Sequence, residues 1–343
     1  MARMDYPMLM NKLEILLITY NRAHDLDCTL QQLLESPFAQ CKITILDNCS
    51  SDETPLVCVE YENLFPNLKI IRHHKNIGGL ANYLRAVELS ESLYTWVLCD
   101  DDDLDFSACS DVIEAIESER FDLISLGSPG QFEWERGLTT TSKELIERGA
   151  RYYHTFSFMP GFIFKTELYS SDCIYKGYMV AGDLYPQNMF LNKSVEQNFS
   201  IYMSKKELIK RGFHNQLSSV FSTLYWLKAS VNTCATISDK KLRRRAIYEI
   251  FEGGKLKFLV HLSFVIINEK LSEKKPLQGS LYKNYIIVAL GLSLDQLFLW
   301  LLTLPILLTP APVLKLAVKA YKFIRDSVRD NKSSLESKAV HRS

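Results

Sequence analysis

The first 130 residues alternate between short apolar runs and segments whose apolar residues recur at helical spacing. A helical repeat is clear at Leu26, Leu30, Leu33 and Leu34, which would lie on one side of a helix. The apolar runs are too short for helices and predict strands that are buried on both faces. These runs are residues 13–18, 43–46, 68–71, 95–99 and 121–126. Strands that alternate with helices in this way predict βαβ units, and therefore an α/β fold with a doubly wound, mainly parallel sheet.

Polar clusters follow the first four predicted strands, at the points where those strands end. The carboxyl ends of parallel strands meet at one edge of a sheet, and ligands bind at that edge in open α/β folds. We therefore expect the four clusters to converge on one site. They are Thr19-Tyr20-Asn21-Arg22, residues 47–52, residues 73–79 and Asp100-Asp101-Asp102-Asp103.

The fourth cluster is a run of four aspartates directly after the apolar segment 94–99. Adjacent carboxylates repel one another unless a cation, a proton or solvent relieves them. Mg²⁺ and Mn²⁺ take oxygen ligands from one or two carboxylates and leave other positions to substrate phosphates. The run therefore indicates a metal site, and the alternative is a solvated loop in which Asp105 or Ser107 caps the helix predicted over 107–118.

The other clusters are weaker signals when each is taken alone. Asp47-Asn48 is also typical of a turn followed by a helix cap. The segment Asn76-Ile77-Gly78-Gly79 is not a GxGxxG fingerprint, and the chain has no P-loop pattern. The order and spacing of all four strand ends in one sheet carry the prediction of a site.

Taken together, the motifs resemble glycosyltransferase family 2, whose nucleotide-sugar-binding domain has the GT-A fold. The resemblance extends over about residues 12–215 and is specific in the first 120 residues of that region. It is carried by segments 18–22, 46–52, 76–79 and 100–103.

The resemblance implies roles for individual residues in binding a nucleotide-sugar donor. Thr19 and Tyr20 would border the nucleobase, and Asp47 would hydrogen-bond it. Asn82 and Arg85, three residues apart on one helical face, would replace the family's Ala-Arg-Asn, which is not in register here. The residues expected at the donor are Thr19, Tyr20, Asn21, Arg22, Asp47, Asn76, Gly78, Asn82, Arg85, Asp100 and Asp101.

By the same resemblance, Asp100-x-Asp102 corresponds to the DxD motif that holds the ribose and the metal bound to the diphosphate. The expected metal ligands are Asp102, Asp100 and Asp103, and the expected ion is Mn²⁺ or Mg²⁺. An acidic residue further along the family domain is the general base. Here that residue is Asp183 in Gly182-Asp183, for which the alternative role is a helix N-cap before residues 187–191.

The composition limits the compartment and the partners. The eight cysteines form no CxxC pair, and several lie in apolar runs, which favours a reduced, cytosolic protein over a disulfide framework or a zinc site. The formal net charge is zero, but residues 204–343 carry 24 Lys+Arg and 10 Asp+Glu, which leaves 16 and 30 for residues 1–203. Residues 1–203 therefore carry a formal net charge of −14 and residues 204–343 one of +14, so different partners are expected for the two parts.

The sequence of the C-terminal third predicts helices followed by a membrane-associating segment. Helices are expected over 221–235 and 240–268, and the triplet at 243–245 lacks the aromatic platform of a nucleic-acid site. The apolar stretch 285–309 is long enough to cross a bilayer, but Asp295 and Pro305 within it favour a shallow hairpin or an in-plane insertion. A basic amphipathic helix over 313–330 follows, which suits an anionic membrane. The alternative is that these helices pack on the catalytic domain or on a second subunit.

The sequence therefore predicts a tail (1–11), a GT-A catalytic domain (12–215), a helical extension (216–284) and a membrane-associating segment (285–343). The hypothesis is a metal-dependent glycosyltransferase on the cytoplasmic face of the inner membrane, peripheral or monotopic. Its acceptor would be a glycan or lipid-linked glycan, as in enzymes that build bacterial surface polysaccharides of the O-antigen or capsule type. The oligomeric state stays open, and nucleic acid is not expected as a partner. The alternatives are a non-catalytic nucleotide-sugar or cation-binding module and a nucleotidyl- or phosphotransferase.

Overall fold

The computed structural model describes residues 9–127, 136–148, 152–156, 158–183, 185–210, 223–250, 255–271, 281–290, 292 and 294–320 of the chain. Its first part alternates strands and helices as the sequence predicts. The elements are α1 (Leu9–Lys12), β1 (Leu13–Thr19), α2 (Ala23–Leu34), β2 (Lys42–Asp47), α3 (Thr54–Glu62), β3 (Leu68–Arg72), α4 (Gly79–Leu89), β4 (Tyr94–Cys99), β5 (Asp103–Leu104), α5 (Ser110–Ser118) and β6 (Leu123–Ser125).

The second part of the sheet domain is less regular, with short strands and helices. They are β7 (Thr139–Thr141), α6 (Ser142–Glu147), α7 (Tyr152–Phe156), β8 (Phe162–Lys165), α8 (Ser171–Val180), α9 (Asn188–Gln197), β9 (Ser200–Met203) and β10 (Ile209–Lys210). A short 3-10 turn, Ala181–Asp183, follows α8.

One eight-stranded sheet organises the domain, in the order β3-β2-β1-β4-β8-β6-β9-β7. The pairs β1–β2, β2–β3, β1–β4 and β6–β9 are parallel, whereas β8 runs antiparallel to both β4 and β6, and β7 runs antiparallel to β9. The prediction of a doubly wound, mainly parallel sheet is confirmed. The chain leaves β1 toward β2 and β3 and returns as β4 on the other side of β1. A topological switch point therefore lies between β1 and β4.

The helix predicted over 107–118 begins later than expected. A 3-10 turn occupies Phe106–Ala108, and α5 starts at Ser110. Asp105 accepts a hydrogen bond from the backbone N–H of Ser107 at 3.0 Å, so the capping by Asp105 is confirmed for the 3-10 turn. The fifth predicted strand is also shorter than expected, with only Leu123–Ser125 paired.

In the described part of the chain, seven helices follow the sheet domain. They are α10 (Thr223–Cys234), α11 (Lys240–Ile250), α12 (Lys255–Leu271), α13 (Leu281–Leu290), α14 (Leu294–Leu301), α15 (Leu304–Leu308) and α16 (Ala311–Ala320). Helices α11 and α12 occupy the two ends of the helix predicted over 240–268. Residues 251–254 between them, which include Gly253 and Gly254, lie outside the described part, so a single helix over this range stays a prediction.

These helices pack on the sheet domain and on each other. Helix α10 contacts α9, and α11 contacts α6 and α7. Further along, α13 contacts α10, while α14 and α15 contact α12. One hydrophobic core therefore runs from Leu16 in β1 to Trp300 and Leu307, all of them buried. Of the amphipathic helix predicted over 313–330, the structure describes the part up to residue 320 as helical, and the remainder lies outside the described residues.

Helices α4 and α8 approach closely where Gly177 faces Leu84. A Cβ atom at residue 177 would lie 2.7 Å from Leu84 Cδ2, and Leu84 is fully buried, so any shift of the leucine would disturb the packing of the core around it. We expect Gly177→Ala to lower the free energy of unfolding by about 1–3 kcal/mol, because overpacking outweighs the helix propensity of alanine.

Urea unfolding measures this change. Gly79→Ala is the matched control, because a Cβ at that helical position meets nothing within 4 Å. The control should keep or slightly raise stability. Equal stability of the two variants would contradict the close packing of α4 on α8.

Candidate active site

The candidate site lies at the carboxyl ends of β1, β2 and β4. Thr19, the last residue of β1, pairs in register with Asp47 of β2, and Ile18 pairs with Cys99 of β4. The loops after these strands leave from the same edge of the sheet, at the switch point between β1 and β4. The first, second and fourth polar clusters therefore meet, as the sequence predicts.

Arg22 connects the first cluster with the fourth across the switch point. It is the N-cap residue of α2, and its Nη1 lies 3.1 Å from Asp100 Oδ1 and 2.6 Å from Asp101 Oδ2. Burial of the guanidinium favours its neutral form, but the two carboxylates outweigh that effect and raise the pKa of Arg22 above its usual range. Arg22 therefore neutralises part of the negative charge at this edge.

Asp100 is the most buried of the four aspartates. Burial raises the pKa of its carboxyl to about 6, although the neighbouring Thr19 hydroxyl and the Arg22 guanidinium oppose the rise. Asp100 Oδ2 and Thr19 Oγ1 are near each other, yet within the described residues neither makes a hydrogen bond of acceptable geometry. Two buried oxygen atoms thus remain available to a polar ligand at the switch point.

A group of possible metal ligands lies beside this pair. Ligand atoms of Cys99, Asp101 and Asp102 all lie within 4.8 Å of one another. Burial, together with the charges of Asp102, Asp101 and Asp100, raises the pKa of the Cys99 thiol well above its usual value, so the thiol stays protonated. The two carboxylates are hard oxygen donors, which fit Mg²⁺ or Mn²⁺.

This group differs from the ligand set predicted from the sequence, which was Asp100, Asp102 and Asp103. Asp100 pairs with Arg22 instead. Asp103 is exposed and lies in β5, where its backbone is in antiparallel register with Lys210 of β10. The chain has left the strand by this point, so the carboxylates do not all face one ligand position. The individual ligand assignment stays a prediction.

The second cluster is ordered around buried Asp47. Its Oδ1 accepts a hydrogen bond of 2.9 Å from the backbone N–H of Ser50, and its Oδ2 lies 3.2 Å from Arg72 Nε without a well-aligned hydrogen bond. Asn21, which adopts the left-handed conformation with φ of 52°, joins this cluster to the first. Its Oδ1 accepts a hydrogen bond of 2.7 Å from the backbone N–H of Ser51. Tyr20 beside it is exposed. The expected contacts of Asp47, Asn21 and Tyr20 with the donor stay predictions.

Asn48 is a buried residue that the sequence did not single out as part of the donor site. Its Oδ1 accepts a hydrogen bond of 2.9 Å from the backbone N–H of Ile77, and its Nδ2 donates to Asn76 Oδ1 at 2.9 Å. Asn76 Oδ1 also accepts from the N–H of Gly78, whose φ of 88° favours glycine. Asn48 therefore holds the third cluster against the second, and the Asp-Asn pair at a strand end was the signal for it.

Asn82 and Arg85 have different surroundings. The amide of buried Asn82 donates to the backbone oxygen of Leu46 at 3.1 Å and lies 2.9 Å from His73 Nε2, so it fixes α4 to the ends of β2 and β3. Arg85 is partly exposed and forms an ion pair of 2.7 Å with Glu88. The structure therefore does not bring these two residues to a common contact, and their roles at the donor stay predictions.

Asp183 ends the 3-10 turn Ala181–Asp183, and this turn contacts α4 and α10. The N-cap of α9 is Gln187, so the alternative role of Asp183 as that N-cap is wrong. The side chain of Asp183 lies outside the described part of the structure. Its role as base stays a prediction.

Comparison with known proteins agrees with the sequence-based interpretation. Residues 14–182 match the sequence model of Glycosyl transferase family 2. No curated protein matches the sequence significantly.

Solved structures share the fold at low sequence identity. TarS 1-349 from S. aureus is 18% identical, with a TM-score of 0.62 over 83% of this chain and 82% of that one. The complex of TarS 1-349 with UDP-GlcNAc is 16% identical, with a TM-score of 0.53 over 74% and 80% of the two chains. The mannosyltransferase PcManGT from Pyrobaculum calidifontis, in complex with GDP-Man and Mn²⁺, is 12% identical, with a TM-score of 0.51 over 85% of each chain. The predictions of a GT-A-like fold and of a glycosyltransferase are confirmed.

The Arg22 ion pairs should contribute measurably to stability. In Arg22→Met, buried Asp100 loses its cation, so we expect the free energy of unfolding to fall by roughly 2–3 kcal/mol. This decrease is smaller than the one expected when a partner is removed from a fully buried ion pair, because Arg22 is partly exposed. Arg85→Met is the matched control, since both partners of its ion pair are exposed, and it should change stability by about 0.5 kcal/mol or less.

Denaturant unfolding at neutral pH measures both variants. Adding Asp100→Asn to Arg22→Met should recover most of the loss, because the buried charge is then absent. Equal effects of Arg22→Met and Arg85→Met would contradict the role of Arg22 at the switch point.

Proposed function

We propose, from the premise that residues 14–182 form a glycosyltransferase family 2 domain, that the protein transfers a sugar from a nucleotide-sugar donor to an acceptor hydroxyl. The acceptor is a glycan or lipid-linked glycan, as in bacterial surface polysaccharides. The observation that carries the proposal is the cluster at the switch point. It combines close carboxylates, a cationic partner and two buried oxygens without hydrogen bonds.

The donor is held by groups that the strand ends bring together. The nucleoside lies against the loops after β1 and β2, where Asp47 and Asn21 shape the surface. Thr19 Oγ1 and Asp100 Oδ2 are the buried polar atoms that a ribose hydroxyl would satisfy. Structures with the same fold that contain UDP-GlcNAc or GDP-Man support a nucleotide sugar as the donor class.

Asp101 and Asp102 are the residues that would hold a divalent ion, Mg²⁺ or Mn²⁺. Such an ion supplies Lewis-acid stabilisation to the departing diphosphate. Arg22 contacts Asp101 as well, so its guanidinium lies next to the same phosphates and can share in balancing their charge. The Mn²⁺ complex of a protein with this fold supports a divalent metal.

The transfer is a direct displacement at the anomeric carbon. The bond from that carbon to the diphosphate oxygen breaks, and its electron pair leaves with the nucleoside diphosphate. The acceptor oxygen bonds to the anomeric carbon and loses its proton to the carboxylate of Asp183, acting as general base. Support for Asp183 is its place in a turn that contacts α4, the helix that begins directly after the Asn76–Gly78 loop.

Turnover should depend on a divalent ion and on two particular aspartates. Nucleotide release from a panel of nucleotide sugars with Mn²⁺ or Mg²⁺ measures it, and EDTA should abolish it. Asp102→Asn and Asp101→Asn should each lower turnover by on the order of 10²-fold or more, since each removes a charged ligand. Asp103→Asn is the matched control and should stay within about 3-fold of wild type, because Asp103 is exposed and outside the ligand group. Full activity in the presence of EDTA would contradict the requirement for a divalent metal ion.

Asp183→Asn should lower turnover by on the order of 10²-fold or more, because an amide cannot accept the acceptor's proton. Donor affinity measured by calorimetry should remain near that of wild type. Asp172→Asn is the control, since Asp172 is an exposed carboxylate in neighbouring α8 that pairs with Lys176. Unchanged turnover in Asp183→Asn would remove Asp183 from the mechanism.

A further inference from the structure

The last helices of the described chain expose many large apolar side chains. Leu290 is 82% exposed, Leu316 69%, Leu308 65% and Ile286 60%. Phe298 and Val313 are also more than half exposed. These six residues, which we call the apolar face, lie on α13, α14, α15 and α16. Exposed apolar residues in this number on consecutive helices are typical of a surface that binds something.

Helix α13 is apolar on both of its sides. Tyr285 and Val288 are buried in the core, and the Tyr285 ring stacks on buried Trp300 with centroids 4.4 Å apart. Ile286 and Leu290, four residues apart, line the opposite side and are exposed. A surface helix normally has a polar outer side. The outer side of α13 therefore combines exposed apolar side chains with a basic residue, since Lys283 lies one turn before Ile286, while its inner side fixes the helix to the protein.

A sharp bend separates α15 from α16. Among the described residues no single helix is long and apolar enough to span a membrane, but the pair Gln296–Leu308 and Ala311–Ala320, bent by 102°, passes that test jointly. The backbone carbonyls at the bend are satisfied from α12, because Lys270 Nζ donates to the oxygens of Leu307, Thr309 (2.5 Å) and Ile306 (3.4 Å). A bend whose carbonyls are already bonded within the protein can lie against lipid at low cost.

Basic side chains outnumber acidic ones next to the apolar face. Residues 295–326 contain four basic side chains, at 315, 319, 322 and 325, and two acidic ones, Asp295 in α14 and Asp326. Lys315 and Lys319 are exposed on α16, the helix that also carries exposed Leu316. Basic residues beside exposed apolar ones complement a lipid surface with anionic headgroups.

We propose that the apolar face docks on an anionic membrane surface, with the bend between α15 and α16 resting in the interfacial layer. The occupant is a lipid surface rather than a second copy of the chain, since exposed Lys315 and Lys319 would repel the same two residues of a second copy across a two-fold interface. The proposal does not depend on the sugar-transfer chemistry, because none of the six residues belongs to the candidate active site.

Flotation of the full-length protein with vesicles tests the proposal. Wild type should float with phosphatidylcholine vesicles containing phosphatidylglycerol at low salt, and less with phosphatidylcholine alone. The double variant Leu308→Glu/Leu316→Glu should bind at least 10-fold more weakly. Leu56→Glu is the matched control, because Leu56 in α3 is 64% exposed, like Leu308, but lies on the sheet domain. It should float like wild type.

A second variant tests the charges without altering the apolar side chains. Lys315→Gln/Lys319→Gln should lower affinity for anionic vesicles by on the order of 10-fold and leave binding to neutral vesicles unchanged. The full chain is needed, because removing α13 and α14 would uncover the core around Trp300.

Three outcomes would overturn the proposal. Wild type could remain at the bottom of the gradient with anionic vesicles at low salt. Leu308→Glu/Leu316→Glu could float as well as wild type. Wild type could form a dimer that this double variant dissociates, without any vesicle binding, which would assign the face to a second copy. Nucleotide release measured without vesicles should be the same in all these variants, so failure here is distinguishable from failure of the catalytic proposal.

Discussion

The site depends on one electrostatic constraint, which is the burial of carboxylates at the switch point between β1 and β4. The parallel sheet places Asp100 and Asp101 there at the end of β4, where little solvent can reach Asp100. Burial of a charge is unfavourable unless a partner compensates it. The compensation comes from Arg22, at the end of the neighbouring strand, so the two strand ends are joined by charge as well as by the sheet. Asp101 belongs both to this ion pair and to the possible metal group, so a divalent ion bound there would compete with Arg22 for the carboxylate of Asp101.

Much of this arrangement could be predicted from the sequence because its causes are local. A strand buried on both faces is a continuous apolar run, and β1, β2 and β4 are found where such runs lie. Parallel strands all end at one edge, so the clusters after them had to converge. The antiparallel insertion of β8 between β4 and β6 was not predictable in this way, because the sequence of a four-residue strand carries no information about its direction.

The individual roles of the polar residues were harder to predict. Within a strand, successive side chains alternate between faces, but residues 100–103 come after the strand, where that rule no longer applies. The sequence therefore indicated a metal site without showing that the side chain of Asp101, rather than that of Asp103, lies close to Asp102. Asn48 was missed for a related reason. An asparagine after a strand is common in turns, and only the folded chain shows its hydrogen bonds to a loop 28 residues away.

The C-terminal helices have features of both structures that the sequence presented as alternatives. Packing on the catalytic domain and contact with a membrane were alternatives for residues 285–309, yet opposite sides of α13 have the properties required for each. Helix α10 lies between these helices and the site, because it contacts both α13 and the turn that ends at Asp183. That turn also contacts α4, which begins after the Asn76–Gly78 loop expected at the donor. The turn that carries the proposed base is therefore in contact both with the helix that follows the expected donor loop and with the helix that packs against α13.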